Sequence, residues 1–421
     1  MNKVNNMRFY KVGGYVRDHL MGVCSQDVDW VVTGATEAEL MANPPFYIKS
    51  FQKVGAEFPV FLSDQGDEWA LARRERKSGK GYHGFEVEFG PEVTIEEDLS
   101  RRDLTINAMA MEFHNDGITR VLEVVDPFNG QEDLENKVLR HTSDAFADDP
   151  VRVLRLARFR ARFGPEWTVA PKTVALVSQM AKRGVLNELT AERVWKELSR
   201  ALMEDHARLF FDTLLECDAL HVLFPEVYRL KTALEARRWH PEGDAYEHTM
   251  LVLTQAVESN FDLETRLACL VHDFGKGLTP RDQLPKHYGH EVTGVAVARD
   301  FCNRLTVPVK MRDRVMKTTR FHMHMHKLDA LNPKTWVHMF EDMDAFRDPE
   351  VVLLLWAVGV CDENGRLGSE DDPTEHLMKV RWVFDRVRAV KFADVFPNGE
   401  KNTTKIKEGM FKARVQAVKS A

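Results

Sequence analysis

The feature that most limits what this chain can fold into is a change of period near Asp144. Before it, short β-branched and aromatic runs are separated by turn residues; after it, apolar residues recur at helical spacing through segment after segment. A period of two marks strands and a period of 3.6 marks helices. Strands are expected over Phe9–Val12, Val28–Val32, Phe58–Leu62, Phe85–Phe89 and Val121–Val125, and a helix over Val16–Met21. Ile106–Phe113 fits either element. Helices are expected over Arg152–Phe163, Pro171–Lys182, Ala191–Met203, Ala207–Cys217, Tyr246–Glu258, Leu263–His272, Val292–Leu305, Pro333–Phe340 and Val351–Val360. The expected class is α+β: an α/β head over 1–145, a helical neck over 146–228, a second helical body over 229–370, and a basic tail over 371–421.

Gly13-Gly14 closes the first strand and opens a helix that carries Arg17. Backbone amides at such a turn can approach phosphate closely, and a helix N-terminus favours negative charge. Alone, the pair is equally a tight strand-to-helix turn. Asp27-Val28-Asp29 follows, at the start of an apolar strand. Residues i and i+2 of a strand share a face, so the two carboxylates can grip Mg²⁺, a hard cation that prefers oxygen ligands and shares them with substrate phosphates. That arrangement suits phosphoryl transfer.

Val12-Gly13-Gly14-Tyr15-Val16-Arg17-Asp18 with Asp27-Val28-Asp29-Trp30-Val31-Val32 resembles the class II tRNA nucleotidyltransferases, the CCA-adding enzymes. Ala72-Arg73-Arg74-Glu75-Arg76-Lys77-Ser78-Gly79, the run from Glu97 through Arg101-Arg102-Asp103 to Asn107-Ala108, and Asp126-Pro127-Phe128-Asn129-Gly130 extend the likeness. Bacterial poly(A) polymerases share this head and are the alternative, together with A-only adding enzymes. The resemblance implies a nucleotidyltransferase that adds C, C and A to the tRNA 3′ end from CTP and ATP without a nucleic-acid template. It assigns Gly14 and Arg17 to the triphosphate, Asp27 and Asp29 to catalysis and magnesium, and Arg102, with Asp103, to the sugar and phosphates.

In the neck, Asp148 and Asp149 precede Pro150, a good helix start. Arg152, Arg155, Arg158 and Arg162 then recur three or four apart, forming one basic stripe without acids interleaved. An enzyme that adds a fixed sequence without a template must read bases with protein groups, aspartate accepting from amino groups and arginine donating to ring nitrogens and carbonyls. The family pattern has glutamate where this chain has Asp148; Asp149 and Arg152 match it, and Arg155 and Arg158 match further nucleotide-contacting positions.

The body carries a second set. His272-Asp273 ends an apolar stretch before Gly275-Lys276-Gly277, with His248 upstream and Asp362 downstream. These nitrogen and oxygen ligands suit a divalent transition metal. The stretch resembles the HD phosphohydrolase superfamily and the multifunctional CCA enzymes that carry such a domain. That implies phosphatase, 2′-nucleotidase and 2′,3′-cyclic phosphodiesterase activity, with Ni²⁺ as the metal. His290 and His322 are candidates for a second metal or for phosphate. In His322-Met323-His324-Met325-His326, His322 and His326 share a helix face and His324 does not; the run also reads as a surface segment.

The net charge is −7, which weighs against a nucleic-acid partner, but Lys and Arg cluster at Arg73–Lys77, along the neck stripe and between Lys401 and Lys419. An acidic protein can still carry a basic groove. The five cysteines are scattered with no Cys-x-x-Cys spacing, and Met1–Tyr10 lacks an apolar core of the kind found in signal peptides. A reduced cytoplasmic protein with no membrane partner is expected. Monomer and homodimer both remain open.

Overall fold

The computed structural model describes residues 7–24, 28–45, 47–54, 59–77, 85–113, 123–236, 238, 241–366 and 374–420. Backbone contacts divide the chain into two units, Met1–Leu189 with Glu216–Ala219, and Thr190–Leu215 with Leu220–Ala421. The fold is α+β.

The first unit is built on a seven-stranded sheet. Its strands are β1 (Arg8–Val12), β2 (Asp29–Thr33), β3 (Phe51–Val54), β4 (Val60–Ser63), β5 (Glu68–Leu71), β8 (Ala110–Phe113) and β9 (Val124–Val125), while β6 (Arg73–Lys77) and β7 (Phe85–Phe89) form a separate antiparallel pair. The order across the sheet is β3-β4-β5-β2-β1-β8-β9. Only β2 and β5 run parallel; the other pairs are antiparallel. β2 lies in the interior of the sheet, and every residue after Asp29 is buried, as its unbroken apolar run requires. On one face Trp30 stacks on Trp69 at 4.3 Å, with Phe9 and Phe51 edge-on to Trp69. Tyr10, Val12, Val31 and Leu99 form a second cluster.

Helix α1 (Gly14–Leu20) leaves β1 through the turn. α2 (Glu37–Ala42) and α3 (Ile95–Ser100) each begin with a capping box, Thr36/Glu39 and Thr94/Glu97. α4 (Gly130–Glu135) precedes α5 (Val151–Phe163), most of whose residues are buried, and α6 (Pro171–Lys182) opens on a proline at its first position.

The second unit is helical. Helices Ala245–Glu258, Leu263–Val271, His290–Arg304, Val309–Met325 and Glu350–Asn364 surround the candidate centre described below. Glu350–Asn364 is apolar nearly all round and correspondingly buried. Lys379–Arg388 and Thr403–Lys419 continue the core through Val380, Phe384, Val387 and Val415.

Three local differences from the sequence reading have physical causes. Arg73–Lys77, read as a basic cluster, is a strand because its charges are matched: Arg74 pairs with Glu88 across the hairpin and with Glu97, and Arg73 with Glu75. Ile106–Phe113 divides into a 3₁₀ turn at Thr105–Asn107 and a strand. The run holding His322 is no surface segment but the last turn of a long helix with His322 buried. Phe58, Val121 and Leu122 lie outside the described residues.

Trp69 is fully buried in the sheet core. Trp69→Ala is expected to cost about 3–5 kcal/mol, read as loss of amide-exchange protection in the seven-stranded sheet.

Candidate functional site

In the first unit the site gathers at the end of β1. Gly13 adopts φ +68°, a left-handed conformation that glycine takes without strain, and a Cβ there would lie 2.8 Å from Arg102 Nη1. The special backbone position is therefore Gly13, and Gly14 begins the helix. Asp29 pairs with Val12 in the register of β1 and β2, which puts it beside the glycine turn. Asp27 lies outside the described residues.

Arg17 is 3% exposed and cannot swing freely. Its Nη1 donates to Asn107 Oδ1 at 2.6 Å, and its Nε and Nη2 donate to Asp18 Oδ1 at 2.8 and 2.7 Å. The Phe159 ring lies 5.3 Å from its guanidinium carbon. Asn107 in turn donates to Asp103 Oδ1 at 3.0 Å, and Asp103 Oδ2 accepts from Arg155 Nε at 2.7 Å. One continuous chain of hydrogen bonds thus joins α5 to α1. Burial alone would raise the carboxyl of Asp103, but Arg155 and Asn107 hold it below the usual range. Arg102 donates to Asp98 Oδ2 at 3.1 Å, and Asp98 is a fully buried carboxylate also held by Arg101. Asn107 and Asp98 are site-shaping residues that the assignment of roles omitted, although both lie within the motif that carries the resemblance.

Asp149 Oδ1 accepts from the backbone of Val151 at the start of α5, and Arg152 Nη1 donates to Ala145 O at 2.7 Å. Arg158 is buried, 5.0 Å from the Phe159 ring centroid. The stripe is not unbalanced: the acids come from other elements, Asp103 to Arg155 and Asp18 to Arg162 at 3.8 Å.

In the second unit, His248, His272, Asp273, His290, His322 and Asp362 come together, and all are buried. His272, His290 and His322 share one device. Their Nδ1 atoms lie 2.7, 2.7 and 2.8 Å from the carbonyl oxygens of Cys269, His287 and Thr319, each three residues back. A carbonyl only accepts, so each Nδ1 carries a proton, and in the neutral ring that a metal requires each Nε2 presents a lone pair. Those lone pairs meet at Asp273: Oδ2 is 3.1 Å from His272 Nε2, and Oδ1 is 3.1 Å from His290 Nε2 and 3.4 Å from His322 Nε2. His290 Nε2 and His322 Nε2 are 3.3 Å apart, and buried His272 Nε2 has no hydrogen-bond partner. Acceptors facing acceptors in a buried space need a cation, and backing of the far ring nitrogen is the usual orienting shell of metal-ligating histidine. The donor set fits a divalent ion.

His248 differs in being backed by a carboxylate. Its Nδ1 is 3.1 Å from Glu242, and its Nε2 is 3.1 Å from Asp362 and 3.7 Å from Asp273. Burial works against its charge, but the bonds to Asp362 and Glu242 outweigh that and raise it to about 9. A metal ion must displace this proton. Burial likewise opposes ionisation of Asp273, yet the Lys276 ammonium, 2.6 Å away, holds it below the usual carboxylate range. His326, absent from the assigned set, bonds Asp362 Oδ2 at 2.8 Å; its i+4 spacing from His322 was the available signal. The centre opens into a cavity of about 570 Å³ with Lys276, Lys286, Lys327 and Arg366 on its wall.

Packing fixes the second helix of this centre. A Cβ on Gly275 would fall 2.0 Å from His290 O, so only glycine lets His290–Arg304 approach Asp273 this closely.

Comparison with known proteins finds family matches in both units. The "Poly A polymerase head domain" family matches residues 9–140, the "Probable RNA and SrmB- binding site of polymerase A" family residues 167–230, and the "HD domain" family residues 245–396. A "Multifunctional CCA protein" of Acinetobacter baumannii strain AYE is 45% identical over 98% of this chain and 97% of its own length. The chain belongs to the multifunctional CCA protein family. The fold of this family member is also that of "CCA-adding enzyme apo form II", with a TM-score of 0.66 at 20% identity, covering 98% of this chain and 88% of the other. The Thermotoga maritima CCA-adding enzyme, solved with tRNA-CCA, gives 0.62 at 19%, covering 99% and 88%. No helix among the described residues is long and apolar enough to cross a membrane.

Gly275→Ala is expected to force His290–Arg304 away from Asp273. Metal bound per purified chain, counted by plasma mass spectrometry, should then fall by about half or more, because one cluster of ligands is dispersed.

Proposed function

We propose that this chain adds C, C and A to the 3′ end of tRNA from CTP and ATP without a nucleic-acid template, and that its second unit hydrolyses phosphate esters at an independent metal centre. The observation that supports the first activity most is the placement of Asp29 beside the Gly13 turn and buried Arg17, within a chain 45% identical to a protein named for CCA. Asp27 and Asp29 would hold magnesium, which would supply charge neutralisation for phosphoryl transfer. Arg17 and the amides of the Gly13-Gly14 turn hold the triphosphate. Arg102, fixed by Asp98, faces the same turn and binds sugar and phosphate.

Asp149 and Arg152 select the base by accepting and donating hydrogen bonds along its pairing edge. Arg155 contributes through Asp103 and Asn107, which tie α5 to Arg17. The order in this network means base and triphosphate are positioned by one hydrogen-bonded body, so little ordering is left to the nucleotide.

In the second unit His248, His272, Asp273 and Asp362 would hold one divalent ion, with Ni²⁺ the metal the family resemblance implies. Asp273 also turns its second oxygen to His290 and His322, which hold a second cation rather than phosphate, because their lone pairs and the carboxylate repel an anion. A metal held there would supply Lewis acidity for ester hydrolysis. Lys276 and Arg366 on the cavity wall bind the phosphate and keep it facing Asp273. The substrates are 2′-phosphates and 2′,3′-cyclic phosphates of a damaged RNA end, which makes repair and resynthesis of that end available to one polypeptide.

The test uses purified protein with tRNA lacking its terminal CCA, Mg²⁺ and labelled CTP or ATP. Both nucleotides should be incorporated, and Asp29→Ala should lower incorporation by about a thousand-fold or more, the scale of removing a charge-neutralising group from phosphoryl transfer. Absence of CTP incorporation in the unmodified protein would contradict this reading and leave A-only addition. His272→Ala should abolish 2′,3′-cyclic AMP hydrolysis and leave CTP incorporation unchanged; a parallel fall in both would exclude two independent sites.

A further inference from the structure

The cavity beside the metal centre carries one feature that neither metal binding nor phosphate binding uses. Tyr288 is 78% exposed, the largest exposure among the large apolar side chains described. It lies on the cavity wall two residues before His290. Leaving an aromatic ring in water forfeits the burial that most tyrosines obtain, so such a ring at the mouth of a site has surface to offer a ligand.

The surrounding loop is anchored, which separates this ring from a merely dangling one. His287 is tied at both ring nitrogens: Nε2 donates to Leu234 O at 3.1 Å, and Nδ1 accepts from the Thr279 hydroxyl at 2.7 Å. Its carbonyl accepts from His290 Nδ1. Gly289, with φ +71°, turns the chain into the His290–Arg304 helix directly after Tyr288. Tyr288 is thus held between two pinned histidines and turned outward. Lys286 Nζ lies 5.9 Å from its ring centroid, and Lys327 and Arg366 are on the same wall. An aromatic face next to cations is the pairing by which proteins hold single-stranded nucleic acid, the ring stacking on a base and the cations meeting the backbone.

We propose that Tyr288 is a base-stacking, specificity-determining residue of the hydrolytic site, which selects the terminal nucleoside of an RNA over phosphate esters that lack a base. The proposal rests on the phosphohydrolase reading for its substrate class, but its test is binding. The stacked base lies over the Tyr288 ring while Lys286 and Lys327 face the chain phosphate. Because Tyr288 lies outside the set of candidate metal ligands, it tunes affinity for the nucleoside and leaves the chemistry of the ester alone.

The experiment titrates full-length protein calorimetrically with two nonhydrolysable probes, the 2′-phosphonomethyl analogue of adenosine and the same sugar phosphonate without adenine, in saturating CTP to fill the head. Tyr288→Ala should weaken binding of the adenosine probe about ten-fold or more, the range of one stacked base, and leave the base-free probe unchanged. Tyr288→Trp should bind the adenosine probe as well as the unmodified protein. Equal losses for both probes, no loss for either, or a tryptophan variant as weak as the alanine variant would overturn the proposal. Should the unmodified protein hydrolyse no 2′-phosphate while the probe-specific loss persists, the hydrolytic reading falls and the stacking platform stands.

Discussion

Three buried imidazoles that each give their Nδ1 proton to a carbonyl three residues earlier are the constraint on which the second unit turns. The helix backbone decides the tautomer, so every lone pair has one direction, toward Asp273. That arrangement costs stability in the absence of a cation, because buried acceptors without donors lose the hydrogen bonds they had in water. The cost is offset by the surroundings. Lys276 is wedged between Asp273 and Glu235, and Gly275 lets the His290–Arg304 helix close on the turn. Binding energy of a metal is therefore partly energy of the unit's own packing.

The first unit meets the opposite problem, too many cations in a small volume, and solves it with buried carboxylates. Asp98 holds Arg101 and Arg102, Asp103 holds Arg155, and Asp18 holds Arg17. Removing one partner of such a buried pair leaves an uncompensated charge, which costs more than the pair contributes. The arginines are held ready for phosphate at fixed positions. The same network ties α5 to α1, since Arg155, Asp103, Asn107 and Arg17 are consecutive links. Net charge of the whole chain says nothing of this, because the positive groups that matter are local and internally matched.

Much of this was legible in the sequence, for definite reasons. The long helices followed from apolar period, and β2 from an unbroken β-branched run that only an interior strand tolerates. The Gly13-Gly14 turn was legible, but which glycine needs the left-handed conformation was not, since that depends on Arg102 packing against it. β6 was illegible because Arg74 and Glu75 satisfy a ladder through ion pairs instead of apolar alternation. For the second site, the residue types were legible in the sequence but their convergence was not. His248 and Asp362 are 114 residues apart, and only the packing of their helices brings Nε2 within 3.1 Å of the carboxylate. His322 looked like a member of a polar run because the apolar face of its helix is carried by residues turns away. His326 and Asn107 were in view but had no partner until the fold supplied Asp362 and Arg17.

In the proposed reading the first unit selects nucleotides and the second holds metal through lone pairs whose direction the helix backbone sets. The most direct measurement is anomalous diffraction at the nickel edge from crystals grown with Ni²⁺. The account predicts density enclosed by Asp273 and the Nε2 atoms of His272, His290 and His322, and extending toward His248 and Asp362. A crystal with nickel only on surface histidines, and with these rings rotated so that Nδ1 no longer meets its carbonyl, would contradict it.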